Sequence, residues 1–76
     1  MNLKTFEQTQ LGQAVQFVGD MSCLRYRVYL YEIGRIIGYH YNDLDQLLSC
    51  DVQVNDGSIL RQVQHTEIDL WGELHV

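Results

Sequence analysis

Read as apolar and polar positions, the chain changes period several times. Leu24, Tyr26, Val28 and Leu30 alternate with Arg25, Arg27, Tyr29 and Tyr31, and a period of two built from branched, aromatic and long side chains predicts a half-buried strand. The stretch RIIGYHY, 35–41, predicts its antiparallel partner. Between them Glu32, Ile33 and Gly34 read as a three-residue loop, with Gly34 in the left-handed conformation that glycine enters without a steric penalty. In that register Arg25, Arg27, Tyr29, Tyr31, Arg35, Ile37, Tyr39 and Tyr41 share one face. Leu24, Tyr26, Val28, Leu30, Ile36, Gly38 and His40 share the other, the core face. A slip of one residue on the second strand would turn Tyr39 and Tyr41 to the core.

After this hairpin the period lengthens. In NDLDQLLS, 42–49, Asn42 is a good N-cap, Asp43 and Asp45 fall in the first turn, and Leu44, Leu47 and Leu48 lie on one helical face, which predicts a short helix lidding the core. DVQV and SILRQVQ flank Asp56-Gly57, a hairpin signal. In EIDLWGELHV the residues Ile68, Leu70, Leu74 and Val76 alternate inward against Glu67, Asp69, Trp71, Glu73 and His75 outward. QAVQFVGD predicts a further strand, and Leu3 with Phe6 a short helix or a packed arm. The elements compose an α+β fold: one domain over 1–76, an antiparallel sheet of about five strands able to curl toward a small barrel, and one short helix.

Composition adds that this is a folded chain, with 46% apolar and 20% charged residues and no biased linker. Seventy-six residues leave no room for a two-domain catalytic cleft, and a chain this small buries only about 60–65% of its unfolded surface. The start MNLKTFEQTQ lacks the basic and apolar pattern of a secretory signal, and no apolar run approaches the roughly 18–20 residues of a membrane span. A cytoplasmic address with no membrane partner is expected, where Cys23 and Cys50 stay reduced thiols.

Charge divides the chain. From Leu24 to Tyr41 three arginines stand against Glu32, a surplus of +2, while the remainder sets Lys4 and Arg61 against nine carboxylates, or −7. All five tyrosines fall in the basic segment.

Motifs for chemistry are sparse. There is no Gly-rich phosphate loop, C-x-x-C pair or H-E-x-x-H. Asp43 and Asp45 form a D-x-D without the further ligands or the glycine of a calcium loop, so helix capping explains them. Cys23, His40, Cys50, His65 and His75 are too scattered for a zinc site. Cys50, at the end of the predicted helix, lacks dipole activation, and Cys23 has no base near it in sequence. No catalytic residue, metal or cofactor is assigned, and the chain reads as a non-enzyme.

Binding remains. Tyrosine and arginine dominate interface hot spots, so Arg25, Arg27, Tyr29, Tyr31, Arg35, Tyr39 and Tyr41 are the candidate partner-binding residues, with Asp43, Asp45, Glu67, Asp69 and Glu73 steering toward a basic partner. The expected function is a small acidic non-catalytic inhibitor or adaptor that binds a basic, nucleic-acid-handling protein. The alternative is single-stranded nucleic-acid binding by the Arg/Tyr hairpin, disfavoured because the rest of the molecule repels a polyanion. The same face could also join two copies in a homodimer. In size, acidity and lack of catalytic signature the chain is similar to small phage or mobile-element proteins that block host machinery, anti-CRISPR proteins among them; this likeness of profile carries over no residue.

Overall fold

The computed structural model describes residues 1–19 and 28–72. Asn2 opens a short helix α1, Leu3–Glu7, by accepting the Thr5 N–H on its side-chain oxygen at 2.8 Å, and one turn of helix suffices to bury Phe6 completely. Strands follow at β1, Ala14–Phe17; β2, Ile33–Tyr41; β3, Leu47–Val54; β4, Ile59–Val63; and β5, Ile68–Leu70, the last preceded by a 3-10 turn at His65–Glu67. All ladders are antiparallel, in the order β4-β3-β2-β1-β5. The α+β architecture with five strands and one short helix is therefore as the pattern predicts.

Curvature follows from the connection. β4 and β5 sit at opposite edges, yet only residues 64–67 join them. In a flat sheet four strand spacings of about 4.8 Å would hold the edges ~19 Å apart, and a short link containing a 3-10 turn of about 2 Å per residue cannot span that. The sheet must coil, and it does so without closing into a barrel: β4 and β5 are not laddered to each other. Inside the coil lie Val15, Phe17, Ile36, Cys50, Val52, Val54, Leu60, Val63 and Ile68, with Phe6 from α1. The helix is pinned near the link, since the Met1 ammonium donates to the carbonyls of His65 and Ile68 and the Met1 carbonyl lies 2.9 Å from His65 Nδ1.

The predicted tyrosine hairpin is not formed as read. Leu24, Arg25, Tyr26 and Arg27 lie outside the described residues, and residues 28–31 make a turn closed by Glu32 N–H to the Tyr29 carbonyl at 2.8 Å. Within it Val28 is 81% exposed and Tyr29 packs on the core, the reverse of the expected faces. β2 takes β1 as its partner instead, pairing Gly34 with Val15. Gly34 is thus a strand residue, and the left-handed position belongs to Tyr31, at φ 68°. Glycine is needed at 34 because a Cβ would meet Val52 Cγ1 at 2.5 Å and the Gln53 carbonyl oxygen at 2.9 Å.

The predicted lid helix is also replaced. Asn42 does cap, accepting from the Leu44 and Gln46 N–H groups, but Asp45 at φ 58° reverses the chain and Leu47–Val54 enters the sheet as β3. There Cys50, Val52 and Val54 alternate inward, so tertiary pairing overrides a weak local helical preference. The Asp56-Gly57 hairpin forms as expected, with Gly57 at φ 89° and the Val54 N–H bonded to the Ser58 carbonyl. β1 forms within the strand expected at QAVQFVGD and pairs Phe17 with Ile68. Of the strand expected from EIDLWGELHV the described residues form Ile68–Leu70, with Ile68 buried and Asp69 exposed as read, while Glu67, expected outward, is buried in the 3-10 turn. Glu73, Leu74, His75 and Val76 lie outside the described residues.

Candidate functional site

Three inserted residues decide which side chains reach the surface. Ile36 pairs with Val52 and Gly38 with Asp51, leaving Ile37 as a bulge in β2; His40 pairs with Ser49 and Tyr41 with Leu47, leaving Leu48 as a bulge in β3. A third disturbs β4 at Gln62, whose φ is 57°. One inserted residue exchanges the two faces of the strand beyond it. The Ile37 bulge therefore turns Tyr39 inward beside Cys50, where it packs on the core with its ring 6.2 Å from Phe6, and turns His40 outward. Both residues were expected on the opposite faces.

On the outer face His40 meets a buried carboxylate. Asp51 Oδ1 lies 2.8 Å from His40 Nε2 and accepts the Gln62 N–H at 3.2 Å, while Oδ2 accepts from Arg61 Nη1 at 3.2 Å. Burial works to raise the Asp51 pKa, but the hydrogen bonds from His40 and Gln62, with the charges of His40 and Arg61, outweigh it and hold the carboxyl below its ordinary value. The cluster serves structure: Asp51 supplies the acceptor that the bulged Gln62 N–H has lost from the ladder. On the inner face Cys50 is fully buried. Desolvation first, then the charges of Asp51 and Glu67, push its thiol up to about 12, which makes it a poor nucleophile near neutrality.

The end of the β2–β3 hairpin is different. Asn42 locks residues 42–46: its N–H donates to the Gln46 carbonyl at 3.0 Å, its Nδ2 to Gln46 Oε1 at 2.8 Å, and its carbonyl accepts the Asp45 N–H at 3.0 Å. A turn held this firmly projects what it carries. Leu44 at its tip is 77% exposed, Tyr41 at the end of β2 is 57% exposed, and the bulged Leu48 is 49% exposed. Asp43 and Asp45 stand on either side of Leu44, and neither carboxylate has a hydrogen bond or ion pair among the described residues. Three apolar side chains and two exposed carboxylates thus share one rigid hairpin end.

The residues proposed from sequence are dispersed. Arg25, Arg27 and Glu73 lie outside the described residues. Tyr31 and Arg35 are exposed, the latter donating from Nη1 to the Gly12 carbonyl at 2.9 Å, while Tyr29 and Tyr39 support the core. Tyr41 stands at the far end of β2 with its ring 6.4 Å from that of Tyr39. The described tyrosines and Arg35 do not form the single face expected. Among the acids, Asp43, Asp45 and Asp69 are exposed, but Glu67 is buried: Oε1 accepts the Gln64 N–H and Oε2 has no hydrogen-bond partner among the described residues. Sequence reading missed Leu44 and Leu48 because a helix would have turned them inward; Asn42 two residues before Leu44 also matched an Asx turn.

Among the described residues no three His, Cys, Asp or Glu side chains gather as a metal-binding group, and no helix is long and apolar enough to cross a membrane. The chain matches no family model, no curated protein and no solved structure.

Proposed function

We propose that this chain is a small acidic protein-binding module, an inhibitor or adaptor, whose partner presents a basic surface with apolar character. The observation that carries this reading is the hairpin end, where Tyr41, Leu44 and Leu48 are exposed beside Asp43 and Asp45, whose carboxylates have no ion pair among the described residues. Exposed apolar side chains gain by leaving water, and exposed carboxylates steer and orient a cationic surface. The turn is already locked by Asn42, so little ordering entropy opposes docking. A formal charge of −5 extends the same attraction over the whole body and repels nucleic acid. The specific form of the reading is a phage or mobile-element protein that occupies the nucleic-acid-binding surface of a host protein.

The test is quantitative capture from lysate by the wild-type chain and by Leu44→Ser/Leu48→Ser, with and without nuclease, alongside native mass measurement. Support is a basic protein retained after nuclease treatment and lost with the double variant. Capture abolished by nuclease would replace this reading with the nucleic-acid alternative. A dimeric mass that becomes monomeric in the double variant would assign the hairpin end to self-association.

A further inference from the structure

At the opposite end of β3, roughly 20 Å from Leu44 by strand rise, the turn at 55–57 and the turn at 28–31 border a cleft of about 370 Å³ lined by Tyr29, Glu32, Val54, Asn55 and Asp56. Its walls are fixed. Val54 is buried, the Tyr29 ring packs on the core, and Asp56 Oδ1 accepts the Ser58 N–H at 2.8 Å, which ties that carboxylate to the β3–β4 turn. Two of its polar groups are open to a ligand: neither the Tyr29 hydroxyl nor the Glu32 carboxylate has a hydrogen bond or ion pair among the described residues. Among the described residues no cationic side chain lines it. An apolar floor, an aromatic wall and two carboxylates form an environment for an alkyl stem that ends in positive charge.

We propose that this cleft is a binding site for a single cationic side chain, a lysine ammonium or arginine guanidinium, presented by a partner polypeptide. Val54 and Tyr29 cover the stem, and Glu32 and Asp56 take the charge, with the Asn55 carboxamide beside them. The volume is at the small end of the roughly 300–1,000 Å³ that ligand pockets occupy, which suits one side chain. The cleft on the other side of the same turn, also about 370 Å³, shares Val54 and Asn55 but contains Arg35, so the cation is directed to the Glu32 side. The identity of the source as a polypeptide rests on the protein-partner reading above; the preference for a cation does not.

The experiment is an amide NMR titration of the full chain with N-acetyl-lysine amide, N-acetyl-arginine amide, the neutral N-acetyl-norleucine amide and putrescine. The expected result is saturable shifts confined to residues 29–32 and 54–57 with the cationic amides only, and an affinity at least about tenfold weaker in Glu32→Gln/Asp56→Asn. Asparagine at 56 keeps the oxygen that accepts the Ser58 N–H, so the turn persists in that variant. Equal shifts with norleucine amide, equal binding by the double variant, or shifts spread equally over Asp43 and Asp45 would overturn the site. Tighter binding of putrescine than of either amide would overturn the polypeptide source. Because the probes are free amides, the result stands apart from the lysate capture: the cleft can pass while the hairpin end fails, and the reverse.

Discussion

The phenolic oxygen of Tyr39 lies 2.6 Å from Oγ1 of Thr9, a bond between the middle of the sheet and the residues that follow α1. It exists because the Ile37 bulge turns Tyr39 to the inner face, where burial above all, offset by the Thr9 hydrogen bond, raises its pKa. Tyr39→Ala should lower stability by about 2–4 kcal/mol as a large truncation against the core, and Tyr39→Phe by about 1 kcal/mol for the hydrogen bond alone. Tyr41→Ala, at an exposed site, should cost less than about 1 kcal/mol. Urea unfolding of the three variants decides; equal losses at 39 and 41 would mean that Tyr39 does not pack on the core.

Gly34 offers a sharper test of packing. The space a Cβ would need is taken by Val52 Cγ1 and the Gln53 carbonyl, so Gly34→Ala should destabilise by about 1–3 kcal/mol through overpacking. Gly57→Ala meets nothing within 4 Å but sits at φ 89°, and should lose only about 1 kcal/mol to backbone strain. If crowding is the cause, Val52→Ala should relieve part of the Gly34→Ala penalty, giving a favourable coupling in a double-mutant cycle. Additive losses would place the strain elsewhere.

These two positions show what was legible in the sequence. Local rules worked where the determinant is local: Asn55, Asp56 and Gly57 encode their own turn, and the alternation of Ile68 and Asp69 in β5 carries its own face, though it misplaced Glu67 just before the strand. They failed where the determinant is distant or is a single inserted residue. Gly34 resembles a turn glycine until β3 is laid beside it, and a period of two gives no notice of a bulge at Ile37 or Leu48. Tyr31, Asp45 and Gln62 take positive φ without being glycine, so the reversals they make leave little trace in composition. For the candidate site, Asp43, Asp45 and Tyr41 were legible as surface, but Leu44 and Leu48 became so only once the predicted helix gave way to a strand.

Asp51 predicts a pH dependence. Its folded pKa lies below the ordinary carboxylate value, so its contribution to stability is complete above about pH 4 and is lost as pH falls through the folded pKa. Asp51→Asn should therefore be less stable than wild type by about 1–3 kcal/mol at pH 7, with the difference closing below about pH 4. Urea midpoints at several pH values measure the gap. A difference that stays constant into strong acid would deny Asp51 its anionic role.

The hairpin end predicts a kinetic signature. Neutralising Asp43 and Asp45 as Asn should slow association with the captured basic partner and flatten its salt dependence, because long-range attraction is screened beyond a Debye length of about 8–10 Å. Leu44→Ser should act mainly on dissociation, since apolar contact forms only at short range. Stopped-flow or surface-binding rates at low and high salt separate the two, and an association rate indifferent to both salt and the carboxylates would remove steering from the account.

Cys50 turns the core itself into a reporter. Its thiol is fully buried and pushed up to about 12, while an unfolded cysteine has a pKa near 8.5 and reacts readily with disulfide reagents. In a Cys23→Ser background, modification of Cys50 at pH 8 should be slow in the native protein and fast in urea, so that its native rate measures opening of the sheet around β3. Tyr39→Ala should accelerate that rate, since it removes the side chain paired opposite Cys50, whereas Leu44→Ser at the exposed turn should leave it within about twofold. Rapid labelling of the native wild-type protein would show that Cys50 is accessible and that the inner face of β3 is not the centre of the core.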